Sequence, residues 1–199
     1  AQQISQAVQS MDRLLTNLLL YTRPVHLARG WHLAESLIDE SIKLAAHAIT
    51  KVPVEIRVDI SQDIHSMWCH DGQLKQVLVN LVVNAVQAMP DGGVLAISLS
   101  QEPPQTLGIP AVRLTVRDSG IGIAPVHLSR IFDPFFSTKD AGTGLGLAIV
   151  YSIVDAHQGR IDVDSTVGQG TACSIILPHP AIGGDPHAVQ TSTRNELEA

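Results

Sequence analysis

Residues 71–88 constrain this chain more than any other stretch. Leu74, Val77, Leu78, Leu81, Val82 and Ala85 recur at spacings of three and four, which marks a helix with one apolar stripe. Gln76, Asn80 and Asn84 fall at steps of four, and residues so spaced share one helix face. The stripe needs a sheet or another helix over it. The carboxamide face needs water, polar partners or a ligand. A helix of this kind belongs at the boundary of a layered domain. Asp71 stands at its start as the expected cap.

The flanking sequence supplies the other layer. Val52, Val54, Ile56, Val58 and Ile60 alternate with polar residues, the pattern of a half-buried strand. Further strands are expected near 94–100, 111–117, 160–165 and 170–177, with turns at Pro90 to Gly93 and at Gly168 to Gly170. Helices are expected over 33–50, 125–131 and 144–157. The fold class is therefore α/β: a two-layer sandwich of about three helices on a mixed sheet of about five strands. Ahead of it, Ile4, Val8, Met11, Leu15, Leu18 and Leu19 predict a further helix over 3–22. Pro24 ends that helix, since the residue before proline avoids helical geometry. The expected division is a helical segment over 1–23, a linker over 24–32, the α/β domain over 33–178 and a disordered tail over 179–199.

Composition narrows the function. With 45% hydrophobic and 16% charged residues the chain is globular, and a formal net charge of -6 argues against nucleic acid as a partner. No apolar run reaches the roughly 20 residues of a membrane span. Two cysteines, Cys69 and Cys173, read as thiols rather than as a disulfide scaffold. No signal peptide opens the sequence.

Three further clusters carry chemistry. Asp118-Ser119-Gly120-Ile121-Gly122 follows a strand; a carboxylate there can accept from an amine, and glycines two apart let the backbone approach a ligand. Gly142-Thr143-Gly144-Leu145-Gly146-Leu147 opens a helix, where free amides and the helix dipole suit phosphate. It is not a P-loop, because no Gly-Lys-Ser/Thr follows, and it does not open a βαβ unit. Phe132, Phe135 and Phe136 crowd one loop with Lys139, which can reach a phosphate as a point charge. The carboxamide oxygens of the 71–88 helix suit a hard cation such as Mg²⁺.

In order and spacing, Asn80-x-x-x-Asn84, Asp118-x-Gly120-x-Gly122, the phenylalanine segment and Gly142-x-Gly144-x-Gly146 resemble the N, G1, F and G2 boxes of sensor histidine kinases. These share a superfamily with gyrase, a heat-shock chaperone and MutL. The stretches 76–85 and 142–149 are similar to those of nitrogen-regulatory and zinc-response sensor kinases. The resemblance implies ATP and Mg²⁺ as cofactors. Asn84 would be the metal ligand and Asn80 would assist there. Asp118 would bind the adenine amine, with Gly120 and Gly122 shaping the pocket and Thr171 supporting it from a neighbouring strand. Gly142, Thr143, Gly144, Leu145 and Gly146 would border the triphosphate. Ile123 and Leu147 would wall the pocket, and Lys139 would lie in a lid anchored by the phenylalanines. Ala88 stands where some relatives carry an aromatic residue over the base.

Asn80 occupies the place where the hydrolysing relatives carry a glutamate base, and a carboxamide cannot take a proton from water near neutral pH. The expected chemistry is therefore to position the γ-phosphoryl group for an external nucleophile. In the family that nucleophile is a histidine on the first helix of a dimerising hairpin, and residues 3–22 resemble the second. No histidine precedes His26, so no catalytic acceptor is assigned here. The resemblance further implies a response regulator as partner, a homodimeric parent and a cytoplasmic module whose parent is anchored in the bacterial inner membrane. Two other readings share the fold: an anti-sigma-type serine kinase and a non-catalytic nucleotide-sensing module.

Overall fold

A computed structural model describes residues 28–139 and 142–180. The expected helix over 3–22 and the tail from 181 onward lie outside the described residues.

The main sheet has five strands: β2 (Val54–Ile60), β4 (Gly93–Glu102), β5 (Ala111–Asp118), β6 (Arg160–Thr166) and β7 (Gly170–Pro178). Their spatial order is β2-β4-β5-β7-β6. β2 runs parallel to β4, while every other neighbouring pair is antiparallel. The sheet is therefore mixed, as the sequence suggests. The parallel edge arises because α3 (Asp71–Gln87) crosses between β2 and β4, and parallel strands cannot be joined by a tight hairpin.

Three helices cover one face: α1 (Ala34–Leu44), α3 and α5 (Gly146–Ala156). Leu74, Val77, Leu78, Leu81 and Val82 of α3 are buried in one cluster with Leu37 and Ile38 of α1 and with Ile149, Val150 and Ile153 of α5. Leu95, Ile97 and Leu99 of β4, Leu114 and Val116 of β5, and Ile175 of β7 form the sheet side of that core. Fully burying each such leucine or isoleucine contributes about 1.5–3 kcal/mol. The α3 stripe thus does what its spacing demands.

Local differences from the sequence expectations have physical causes. Residues 30–32, expected to be linker, begin strand β1 (Gly30–Leu33), which pairs antiparallel with β3 (Ser66–Cys69) in a separate two-stranded sheet. Trp31 and Trp68 lie opposite one another in that pair, ring centroids 5.2 Å apart. Partners so distant along the chain leave no local signal. The helix expected over 33–50 breaks at Ala45, giving α1 and a short α2 (Ala46–Ile49). The cap of α3 is His70 rather than Asp71: its Nδ1 accepts from the Gln73 N–H at 3.3 Å. Asp71 sits inside the first turn and pairs with Lys75. The helix expected over 125–131 is the single turn α4 (Pro125–Leu128). His179, read as the first tail residue, is buried, and its Nε2 lies 2.7 Å from the Ser66 carbonyl. Cys69 and Cys173 are buried free thiols, each pushed up to about 12 by desolvation.

Candidate functional site

At one end of the sheet, three polar residues occupy positions that would otherwise continue the core. Along β5, Leu114 and Val116 face the helices, and Asp118 follows at the same parity. In β7, Thr171 precedes Cys173, Ile175 and Leu177 at core parity. In β6, Ser165 follows Ile161 and Val163. The register places Asp118 opposite Thr171, and Thr171 opposite Ser165. Directly opposed residues share a face, so the three form one row on the helix-covered side.

Asp118 is 7% exposed. Its Oδ1 accepts from the Gly120 N–H at 2.9 Å and from the Thr171 N–H at 3.2 Å. Among the described residues nothing donates to Oδ2. Desolvation raises the carboxyl above its ordinary value, against the two backbone donors and the charges of Lys139 and Arg117, which lower it. A buried carboxylate with one unpaired oxygen favours a ligand that brings its own N–H.

The glycines of this segment are required by close approach. A Cβ on Gly120 would lie 2.3 Å from the Ala88 carbonyl oxygen, and one on Gly122 would lie 2.2 Å from that of Thr166. The Ile121 N–H donates to that same Ala88 oxygen at 3.0 Å, tying the segment to the end of α3. Ile123, half-buried, donates its N–H to Ser165 Oγ at 2.8 Å. Ser165 was not singled out from the sequence. Its only signal was a serine where Ile161-x-Val163-x called for an apolar residue.

The second half of the site joins α3 to the start of α5. Asn80 Nδ2 donates to the Gly146 carbonyl at 3.3 Å, while its Oδ1 accepts from Gln76 Nε2 at 3.3 Å. The Asn84 carboxamide has no partner among the described residues. A Cβ on Gly146 would lie 3.7 and 3.9 Å from its Nδ2 and Oδ1, so it faces the α5 N-terminus across a gap that glycine keeps open. A lone amide oxygen beside a phosphate-attracting helix end fits a cation that brings phosphate ligands of its own. Leu145 is buried and Leu147 half-buried at this helix start, while Gly142 and Thr143 are exposed.

Gly144, with φ +67°, accepts from the Phe135 N–H at 3.0 Å, which holds the glycine segment against the phenylalanine loop. The three phenylalanines differ in role. Phe132 packs on Tyr151, and Phe136 lies under the Arg130 guanidinium and beside His127. The Phe135 ring is 67% exposed, and it is the backbone N–H of this residue that meets the glycine segment. Lys139 Nζ donates to Gln87 Oε1 on α3 at 2.8 Å. Desolvation around the ammonium lowers its pKa, and Asp118 opposes this.

His157, just past α5, locks this arrangement. It is buried, its Nδ1–H donates to the Ile153 carbonyl at 2.8 Å, and its Nε2 accepts from the His70 N–H at 3.1 Å. The end of α5 is thereby tied to the start of α3, and Arg29 adds a 2.8 Å bond to the Ala156 carbonyl. Burial lowers the His157 pKa below the ordinary 6.5; Arg29 and His70 act in the same direction, the Ile153 bond against it. The unfolded chain then binds a proton that the folded chain refuses, so stability is full above 6.5 and falls as pH drops below it. Thermal unfolding measured from pH 7.5 downward should show that decline, and His157→Gln should flatten it. An equal slope in the variant would assign the acid sensitivity to other groups.

Helices on one face of a mixed sheet, with a buried carboxylate and two glycine segments at one sheet end, define a class of α/β nucleotide-binding modules. The chain belongs to the histidine kinase-, DNA gyrase B-, and HSP90-like ATPase family, whose pattern matches residues 69–181. It is 34% identical over 186 residues to the sensor histidine kinase ZraS of Escherichia coli, covering 94% of this chain and 39% of that protein. It is 32% identical over 175 residues to sporulation kinase E of Bacillus subtilis, covering 88% of this chain and 23% of that one. The chain thus spans less than two fifths of the length of these relatives. Among solved structures it resembles full-length ShkA in complex with AMPPNP, with a TM-score of 0.74 and 28% identity over 89% of this chain and 39% of that one. The catalytic domain of the histidine kinase ThkA gives 0.65 and 30% identity over 75% and 95%.

Proposed function

We propose that this chain is the ATP-binding catalytic module of a two-component sensor histidine kinase. It would hold Mg²⁺-ATP for transfer of the γ-phosphoryl group to a histidine outside these 199 residues, and from there to a response-regulator aspartate. The observation that carries the reading is Asp118, buried at a strand end with one oxygen held by two backbone donors and the other free. That oxygen suits the adenine amine, with Thr171, Gly120, Gly122 and Ile123 around it. Asn84 would hold the cation, which when bound would neutralise phosphate charge. Asn80, fastened between Gln76 and Gly146, would keep the two helices in register. Gly142, Thr143, Gly144, Leu145 and Gly146 would border the phosphates, Leu147 would wall the pocket, and Lys139 would meet the phosphates from the lid.

Asn80 also favours a kinase over a hydrolase, because no carboxylate stands there to activate water. The names of the relatives support the same reading, and ThkA has been solved in complex with the response regulator TrrA. Within this proposal, residues 1–23 are the second helix of a dimerising hairpin, the linker ends where β1 begins at Gly30, and the catalytic domain runs from β1 through His179, with the tail after it. The parent is a homodimer, with this module cytoplasmic and the parent membrane-anchored. Among the described residues no helix is long and apolar enough to cross a membrane.

Calorimetric titration with a non-hydrolysable ATP analogue tests the site. Binding should strengthen with Mg²⁺, and Asn84→Ala should remove that increment while leaving metal-free binding unchanged. A folded sample that binds no nucleotide sinks the proposal.

A further inference from the structure

We propose that Ser165 is a positioning residue that makes the site selective for a 6-aminopurine, by holding the Thr171 hydroxyl as a hydrogen-bond acceptor. The inference rests on the nucleotide reading above and adds to it a cause for base choice beyond Asp118.

The argument is a count of protons. Ser165 Oγ has three neighbours: the Ile123 N–H at 2.8 Å, the Gly170 carbonyl oxygen at 3.1 Å and Thr171 Oγ1 at 2.8 Å. A hydroxyl has one proton and two lone pairs. The amide can only donate, so it takes one lone pair. The carbonyl can only accept, so it takes the Ser165 proton. One lone pair remains, and the Thr171 hydroxyl proton fills it. Thr171 Oγ1 is then left with lone pairs alone.

Thr171 stands opposite Asp118 in the strand pair, and its backbone N–H bonds the Asp118 carboxylate. The site therefore presents two neighbouring acceptors: the free Asp118 oxygen and the Thr171 hydroxyl. An exocyclic amine has two protons to give and matches them, directly or through one water. A 6-oxo group brings lone pairs against lone pairs. Without the Ser165 hydroxyl the Thr171 proton is freed to turn toward the base, and the penalty against a 6-oxo purine falls.

The test is titration of the whole chain with non-hydrolysable analogues of ATP and of inosine triphosphate, which differ in the 6-substituent and in the adjoining N1, a lone pair in the first and an N–H in the second. The wild type should prefer the ATP analogue. Ser165→Ala should narrow the preference about tenfold, the scale of one hydrogen bond, and Ser165→Thr, which keeps the hydroxyl, should restore it. A structural role alone would weaken both analogues equally, and an unchanged ratio overturns the proposal. If the folded wild type binds neither analogue, the nucleotide reading fails and the selectivity with it. If Ser165→Ala does not fold, Thr171→Val removes the acceptor at constant shape. It should weaken the ATP analogue more than the inosine analogue, and equal weakening again overturns the proposal.

Discussion

In Asp118→Asn, an ATP analogue should bind about ten- to hundredfold more weakly while the melting temperature barely moves. The substitution preserves shape. The asparagine carbonyl can keep both bonds now made by Oδ1, from Gly120 and from Thr171. What changes is the other position, where an acceptor becomes an N–H₂ donor facing the proposed adenine amine. A hydrogen bond to a charged group contributes about 1.5–3 kcal/mol, and each 1.4 kcal/mol is tenfold in affinity. Stability should hold because desolvation already disfavours the carboxylate, so removing the charge relieves a cost. Calorimetry and thermal unfolding of the same samples decide the matter. Unchanged affinity with a lowered melting point would make Asp118 a structural residue.

Gly170→Ala should be among the most destabilising single substitutions in the domain. Gly170 has φ +100°, and an added Cβ would lie 2.0 Å from the Asp118 carbonyl oxygen and 2.9 Å from Ser119 Cα. Both are backbone atoms of the adjoining strand end and cannot rotate away. Backbone strain and overpacking each cost about 1–3 kcal/mol, so a loss of about 3 kcal/mol or more is expected. Gly168→Ala is the control. It has φ +78° but open space around it, so only the left-handed conformation is penalised, at about 1 kcal/mol. Urea unfolding of both variants separates the effects. Equal losses would show that backbone conformation, not the approach of β7 to Asp118, makes Gly170 necessary.

Much of this protein was legible along the chain because its signals are local. Apolar spacing in α3 identified both the buried stripe and the face bearing Asn80 and Asn84. Alternation marked β2, and the other four strands of the main sheet were expected between the turns and glycine segments. The glycines two apart, expected to let backbone approach a ligand, also bring backbone against backbone at Ala88 and Thr166. Strand β1 was not legible, because pairing Gly30–Leu33 with Ser66–Cys69 depends on partners more than thirty residues away. The His70 cap was missed because the preference for Asp at helix starts pointed one residue too far. Phe135 belongs to the same aromatic cluster as Phe132 and Phe136, yet its ring is exposed, on a left-handed backbone of φ 67°.

The sequence by itself determined the layered class, the helix that divides core from site, and the residue types the site offers. Those follow from periodicity and from the chemistry of side chains, both properties of the unfolded string. Only the tertiary structure decided which of those residues meet. Asp118, Thr171 and Ser165 come from three strands, and a one-residue slip of register would send each to the opposite face. Their row exists because pairing across β5, β7 and β6 aligns three polar residues at core parity, a relation that no stretch of the chain contains on its own.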